Sequence, residues 1–339
     1  MNIGNASSPP APATTGCWRF DGAETQLALR QAVLAPLDEL GVISVGGEDA
    51  GRFLHGQLTN DVEHLGDGRL ALNGYCTAKG RLLATFRVWR DEQAIHLLLP
   101  RELLPAIARR LSMFVLRSRV KLADTSAAWR PSALFGAGAQ ATLRSLGCPL
   151  PAAVGDCVPF AGLRIARLHV SPRLPERFLV LAPAAASLPA GLAQLPAVGG
   201  GSFWWSEIDA GVPTVFASTQ EKFVPQMINF EVVGGVSFAK GCYPGQEVVA
   251  RSQYRGKLKR RMQLAHCEQA PPAGTDVFAE GDPEAAGTTV MAASAPGGGF
   301  DLLFECPLEK TGAALHVGAP GGPRLALRPL PYELVDVTS

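Results

Sequence analysis

The apolar residues of this chain come in short runs, repeatedly cut by glycine or proline. None approaches the roughly 18 residues that a membrane-spanning helix requires. The longest candidate run, residues 94–100, is the size of a strand. With 37 glycines and 27 prolines in 339 residues, turns are frequent but fall short of a low-complexity composition. The pattern predicts many short elements joined by turns. A length two or three times that of an ordinary domain, with 47% apolar residues, predicts two or three packed units and excludes disorder over the whole chain.

The net charge of +1 excludes a generally basic nucleic-acid binder and an acidic tail protein, and leaves room for a local basic patch. Seven cysteines, at 17, 76, 148, 157, 242, 267 and 306, are scattered. They form no CxxC pair and no Cys/His cluster at zinc spacing, so we expect no metal site, a reduced compartment and a cytoplasmic location. Residues 1–16 are small, polar and proline-containing, with no secretory or import pattern, and a disordered tail is expected over 1–24.

Residues 26–40 read as a moderately periodic helix interrupted by Pro36, and residues 41–45 as a strand. Asp49 is placed to cap a helix carrying Phe53, Leu54 and Leu58. Residues 69–76 and 80–89 read as paired strands about the Thr77-Ala78-Lys79-Gly80 turn, followed by a strand at 94–99, a helix at 101–114 and a strand at 119–123. A second unit repeats the theme with strands at 132–135, 163–170 and 177–181 around a helix at 139–146. Residues 183–201 read as a helix remnant and a boundary loop. From residue 256 onward helices disappear, and short runs at 261–265, 288–292, 300–304 and 324–326 alternate with turns, the pattern of a small antiparallel sandwich or barrel. No fixed-period repeat argues for a solenoid. The fold class is therefore α+β, with two α+β units and a β unit.

The densest chemistry lies in the loop from Phe238 to Arg251, where Cys242 follows Lys240 by two residues and two glycines and a proline suggest a tight, fixed turn. Positive neighbours, Lys240 and Arg251, favour the thiolate and raise reactivity. A buried structural cysteine is the competing reading. Next comes a run with no acid and six basic residues: Arg251, Arg255, Lys257, Lys259, Arg260 and Arg261. It reads either as a patch for phosphates, carboxylates or RNA, or as a solvated linker or strand face. Asp209, just before the Gly211 turn, could pair with a heterocycle or simply cap that turn. In the segment from Phe53 to Val62, capping and turn formation account for the polar residues, and His55 alone carries no catalytic signal. Neither GxGxxG nor a P-loop is present.

Three segments carry a family resemblance: Ile208-Asp209-Ala210-Gly211-Val212-Pro213, Phe223-Val224-Pro225-Gln226-Met227-Ile228-Asn229-Phe230, and the run from Gly234 to Glu247 that contains Lys240-Gly241-Cys242-Tyr243-Pro244-Gly245-Gln246-Glu247. With these, and with Phe53 to Val62 and the turn Ala78-Lys79-Gly80-Arg81, the chain resembles the YgfZ family from about residue 40 to its C-terminus. The resemblance implies a folate-binding protein linked to iron–sulfur cluster assembly and tRNA modification. It also implies similarity to the glycine cleavage T-protein fold, in which two ferredoxin-like α+β units and a C-terminal antiparallel β-barrel surround a central folate site. The expected domains are 25–125 with 205–250, 126–204, and 251–339.

Tetrahydrofolate or a derivative would be held by Asp209, at a position usually occupied by Glu, with Lys240 and Gln246 as further contacts. Cys242 would serve as a redox thiol or touch an iron–sulfur cluster transiently. The basic run would meet a folate polyglutamate tail or an acidic partner, and the partners would be iron–sulfur enzymes or assembly proteins. Where the T-protein carries two adjacent aspartates, this chain has Ala84 and Thr85, which removes the acid that aminomethyl transfer uses. The alternatives are a one-carbon transferase with tetrahydrofolate as acceptor, and an RNA-binding module reached through the basic run.

Overall fold

In the computed structural model, which describes residues 16–18, 22–254 and 258–334, the chain builds three sheets. It begins with strand β1 (Cys17–Trp18), helix α1 (Gly22–Arg30) and strand β2 (Val33–Pro36). The helix expected over 26–40 thus stops at Arg30. Val33, Leu34 and Ala35 instead pair with a later strand and are buried, so tertiary pairing overrides the weak helical period. Two stretches of the expected tail are likewise placed: Cys17–Trp18 pairs in parallel with a barrel strand, and α1 starts at Gly22. Residues 1–15 and 19–21 lie outside the described residues.

The first α+β unit follows: β3 (Leu40–Gly46), α2 (Ala50–His55), β4 (Ala71–Cys76), β5 (Leu82–Arg90), β6 (Ile95–Pro100), α3 (Leu104–Ser112) and β7 (Lys121–Asp124). The sheet order is β4-β5-β6-β3-β7. Asp49 does not cap α2 through its side chain. Its Oδ2 instead accepts from the Arg119 backbone N–H at 2.7 Å, tying the helix start to the chain entering β7.

The second unit holds β8 (Trp129–Phe135), α4 (Ala139–Ser145), β9 (Cys157–Phe160), β10 (Leu163–Arg167) and β11 (Arg177–Pro183), in the sheet order β2-β8-β11-β10-β9. After the short α5 (Ala190–Ala193) comes α6 (Gly200–Asp209). Every residue of α6 from Ser202 to Asp209 is buried, so it shows no polar face and no amphipathic period. That is why the sequence pattern passes over it. It packs on β2 and on the barrel, and Trp204 stacks on Trp18 with ring centroids 4.4 Å apart.

Helix α7 (Gln246–Tyr254) leads to the barrel strands β12 (Arg260–Cys267), β13 (Asp276–Ala279), β14 (Ala285–Ser294), β15 (Phe300–Pro307), β16 (Leu315–Val317) and β17 (Arg324–Arg328). The order β14-β13-β16-β17-β12-β15 closes through β14–β15 pairing into a six-stranded antiparallel barrel, which leaves no free edge among those strands. Residues 246–254, expected as part of a loop and a basic linker, therefore form a helix.

Candidate functional site

Three of the motif segments noted in the sequence, residues 53–62, 78–81 and 234–247, meet at one place. Gly245 has φ +80, and a Cβ there would stand 2.4 Å from Thr77 O and 2.6 Å from the Gly80 backbone. Only glycine permits that approach. The glycine of the cysteine loop and the glycine of the Ala78-Lys79-Gly80-Arg81 turn are thus two halves of one backbone contact. The segment after α2 closes the other side. Thr59 is fully buried, takes the Gly74 N–H at 2.7 Å and donates to Gly235 O at 2.6 Å, while Asn60 Nδ2 donates to Gly234 O at 2.8 Å. Lys240 Nζ donates to the carbonyls of His55 (2.5 Å) and Leu58 (2.9 Å) and lies 4.7 Å from the Tyr243 ring centroid. Burial lowers the Lys240 ammonium to about 8, against opposing pulls from Asp61 and Cys242.

This pinned loop holds Cys242 in solvent, whereas the other six cysteines are all buried. Burial raises Cys76 and Cys306 to about 12, which leaves those thiols inert. Beside the loop, Asp61 Oδ1 bonds His55 Nδ1 at 3.0 Å and Asp61 Oδ2 bonds His64 Nδ1 at 2.8 Å. Burial works against the Asp61 carboxylate, but hydrogen bonds from the His64 backbone, the His64 ring and the His55 ring outweigh it and hold its carboxyl below the ordinary range. The hydrogen bond to Asp61 raises His64. Gln246 is partly buried at the first turn of α7, and its backbone N–H closes the loop on Tyr243 O at 3.2 Å. Among the described residues, no group of three or more His, Cys, Asp and Glu side chains is placed to hold a metal ion.

Between the two α+β units lies a cavity of about 350 Å³, within the size range of small-molecule sites. Arg69 and Arg87 come from the first unit, Arg167 and His169 from the second, and Val232 to Gly234 form a wall. His169 Nε2 meets Val233 O at 2.9 Å, and burial lowers the ring so that it stays neutral at neutral pH. Arg87 is itself buried and pairs with Glu207, whose other oxygen pairs with Arg177. Burial would raise Glu207, but the two guanidiniums prevail and keep it ionised. Arg69 is held by Asp156 and Arg87 by Glu207, so of the lining guanidiniums Arg167, with the neutral imidazole, is the one left to face a ligand that carries carboxylates and hydrogen-bonding ring atoms.

Asp209 is buried at the C-terminal end of α6. It does not line the cavity. Its carboxylate accepts from Ser171 Oγ at 2.5 Å, from the Arg173 backbone N–H at 3.2 Å and from Arg173 Nε at 2.8 Å, and Arg328 approaches to 3.5 Å. Arg173 and Arg328 both continue to the buried Asp301 of β15. Asp209 therefore ties α6 to the second unit and to the barrel, and its oxygens are already engaged. Lys240 is likewise spent on backbone carbonyls rather than presented to a ligand.

The basic run also divides. Arg255 and Lys257 lie outside the described residues. Arg251, on α7, and Lys259 are exposed, while Arg260 pairs with Glu305 and the buried Arg261 pairs with Glu231. Arg260 and Arg261 are consecutive in β12 and so point to opposite faces, each meeting a carboxylate. Ala84 is fully buried, and Thr85 Oγ1 accepts the Val215 N–H at 3.1 Å, so the two positions matched to the T-protein aspartates are structural here. Arg69, Arg87, Arg167, His169 and Glu207 escaped sequence reasoning. One signal was present: Arg87 is the only charge inside the apolar stretch from Leu82 to Trp89, the mark of a buried ion with a partner.

Two α+β units and a closed barrel make up the aminomethyltransferase T fold. The crystal structure of glycine cleavage system aminomethyltransferase T from Bartonella henselae superposes with a TM-score of 0.72 at 18% identity, covering 91% of this chain and 88% of that one. No family model matches the chain. At the level of sequence it is 32% identical over 325 residues to the tRNA-modifying protein YgfZ of Pectobacterium carotovorum subsp. carotovorum, covering 92% of this chain and 96% of that protein. It is also 32% identical over 317 residues to the tRNA-modifying protein YgfZ of Klebsiella pneumoniae, covering 89% and 94%. The chain belongs to the YgfZ family. Among the described residues no helix is long and apolar enough to cross a membrane.

Proposed function

We propose that this protein is a folate-binding accessory factor in tRNA modification, supporting iron–sulfur enzymes that include tRNA-thiolating ones through the Cys242 thiol. The observation that carries the reading is the exposure of Cys242 on a loop pinned by Lys240 and Gly245, in a chain that buries every other cysteine. Tetrahydrofolate would occupy the cavity, with Arg167 toward its carboxylates and Asn60 and His169 toward its ring system. Bound there, the folate would supply one-carbon or redox chemistry. Asp209 would act at second remove by fixing Arg173, Lys240 by holding the loop, and Gln246 by starting α7. The absence of an acid at Ala84 and Thr85 weighs against aminomethyl transfer, and the pairing of Arg260 with Glu305 and of Arg261 with Glu231 weighs against an RNA surface along the basic run.

The test is calorimetric titration of tetrahydrofolate under reducing conditions into the wild type and Arg167→Ala, together with tRNA thiolation in a deletion strain carrying Cys242→Ser. Saturable binding, weakened about tenfold or more in Arg167→Ala, is expected from loss of a charge-assisted contact. Cys242→Ser should bind folate normally and leave tRNA thiolation defective. No binding by the wild type overturns the folate assignment, and full thiolation by Cys242→Ser overturns the thiol assignment.

A further inference from the structure

The connection from α3 to β7 carries large apolar side chains in water. Leu111 ends the buried stripe of α3, and Val115 and Val120 pack against the core of the first unit. Between them Met113, Phe114 and Leu116 are 60%, 43% and 86% exposed. Other exposed large apolar residues among those described, such as Leu29, Val154 and Leu327, stand singly in the sequence. Three within four residues make a patch of the kind that marks an interaction site. The turn is held at both ends. Phe114 N–H donates to Leu111 O at 3.0 Å, Ser118 N–H to Val115 O at 2.8 Å, and the Arg119 N–H to Asp49 Oδ2 at 2.7 Å. Within it Leu116 sits at φ +44, a left-handed conformation unfavourable for a branched side chain.

The charge around the turn selects what covers it. From residue 109 to residue 121 the chain carries Arg109, Arg110, Arg117, Arg119 and Lys121 and no acid. Arg119 pairs with Glu48 at 2.6 Å, whereas Arg109, Arg117 and Lys121 are exposed and, among the described residues, meet no carboxylate. A second copy of this face would set like charges against like. A phosphate backbone or an anionic bilayer would be pressed against Glu48 and Asp49, which border the turn through Arg119. A protein surface can answer charges of both signs and cover the apolar side chains between them. We propose that this turn docks an acidic protein segment, whose apolar side chains cover Met113, Phe114 and Leu116 and whose carboxylates meet Arg109, Arg117 and Lys121. Met, Phe and Arg are residue types enriched at such interfaces. The surface stands apart from Cys242 and from the cavity, and its role is independent of theirs.

The probe is a synthetic amphipathic helix with leucines along one face and glutamates flanking them, titrated into the full-length protein and followed by fluorescence anisotropy. The wild type should bind it saturably and more weakly as salt is added. Leu116→Gly and Arg117→Glu should each weaken binding about tenfold or more. The urea midpoint of Leu116→Gly should be no lower than that of the wild type, because glycine accepts φ +44, so that lost contact is separated from lost structure. Cys242→Ser should bind as the wild type does. No saturable binding by the wild type, or undiminished binding by both turn variants, overturns the proposal. Equal binding of a helix with lysines in place of the glutamates overturns the acidic character of the partner. Binding of tRNA or of phosphatidylglycerol vesicles with the same dependence on Leu116 and Arg117 assigns the turn to a phosphate surface and overturns the protein partner.

Discussion

At the C-terminal end of α6, Glu207 and Asp209 are buried carboxylates, each shared between two arginines that come from different parts of the fold. At the cysteine loop, Cys242 is exposed, and the charges near it, on Lys240 and Asp61, are satisfied by carbonyls and histidine rings that leave the sulfur free. One region uses charge to clamp units together, and the other uses it to hold a loop that leaves a thiol in the open. A carboxylate in a family motif is therefore no guide to ligand contact until its partners are known. Burying an ion is tolerable only when counter-charges arrive from elsewhere in the chain, and those partners then occupy it.

Removing the shared anion should produce the largest effect. Glu207→Gln strands Arg87 and the fully buried Arg177, and a loss of about 3–5 kcal/mol in urea unfolding is expected. A loss below about 1 kcal/mol would mean that water enters this end of α6 and that the clamp is open. Asp209→Asn should cost less, about 1–3 kcal/mol, because Arg173 and Arg328 keep Asp301. Tetrahydrofolate titration into the folded variant sharpens the contrast. Affinity within about threefold of the wild type fits a clamp, whereas a loss of a hundredfold or more would return Asp209 to ligand contact.

The smallest effects separate the two regions by sign. Burial lowers His169, so its neutral form contributes stability that is present above about pH 6.5 and lost as the pH falls below it. The hydrogen bond to Asp61 raises His64, so its contribution is present below about pH 6.5 and lost as the pH rises through the raised value. Urea midpoints at about pH 5 and pH 8 should therefore show His169→Gln gaining on the wild type toward acid, and His64→Ala losing on it toward acid. Shifts of the same sign in both variants would erase the distinction.

The strands of the first unit, the helix at 101–114 and the barrel pattern after residue 256 were readable because each has a local period and a local stop signal. Helix α6 was not, because burial on all sides erases the polar face from which a helix is recognised. Strand β2 was misread as helix because its pairing partner, β8, lies about a hundred residues away. In the site, the cysteine loop was legible from spacing, but its exposure was not, since the same residues suit a buried thiol. His55 gave no signal at all. Its ring meets Asp61 and its carbonyl meets Lys240 only in the folded chain.

The amino-acid order by itself determined the α+β and barrel composition of the chain, its family and the cysteine loop as the place to look, since these depend on local periods and on residues close together in sequence. Which carboxylates are closed and which thiol is open was decided only when α6 drew arginines from β5, β11 and β17 into one buried end, because the partners of a buried ion are chosen by packing between distant segments.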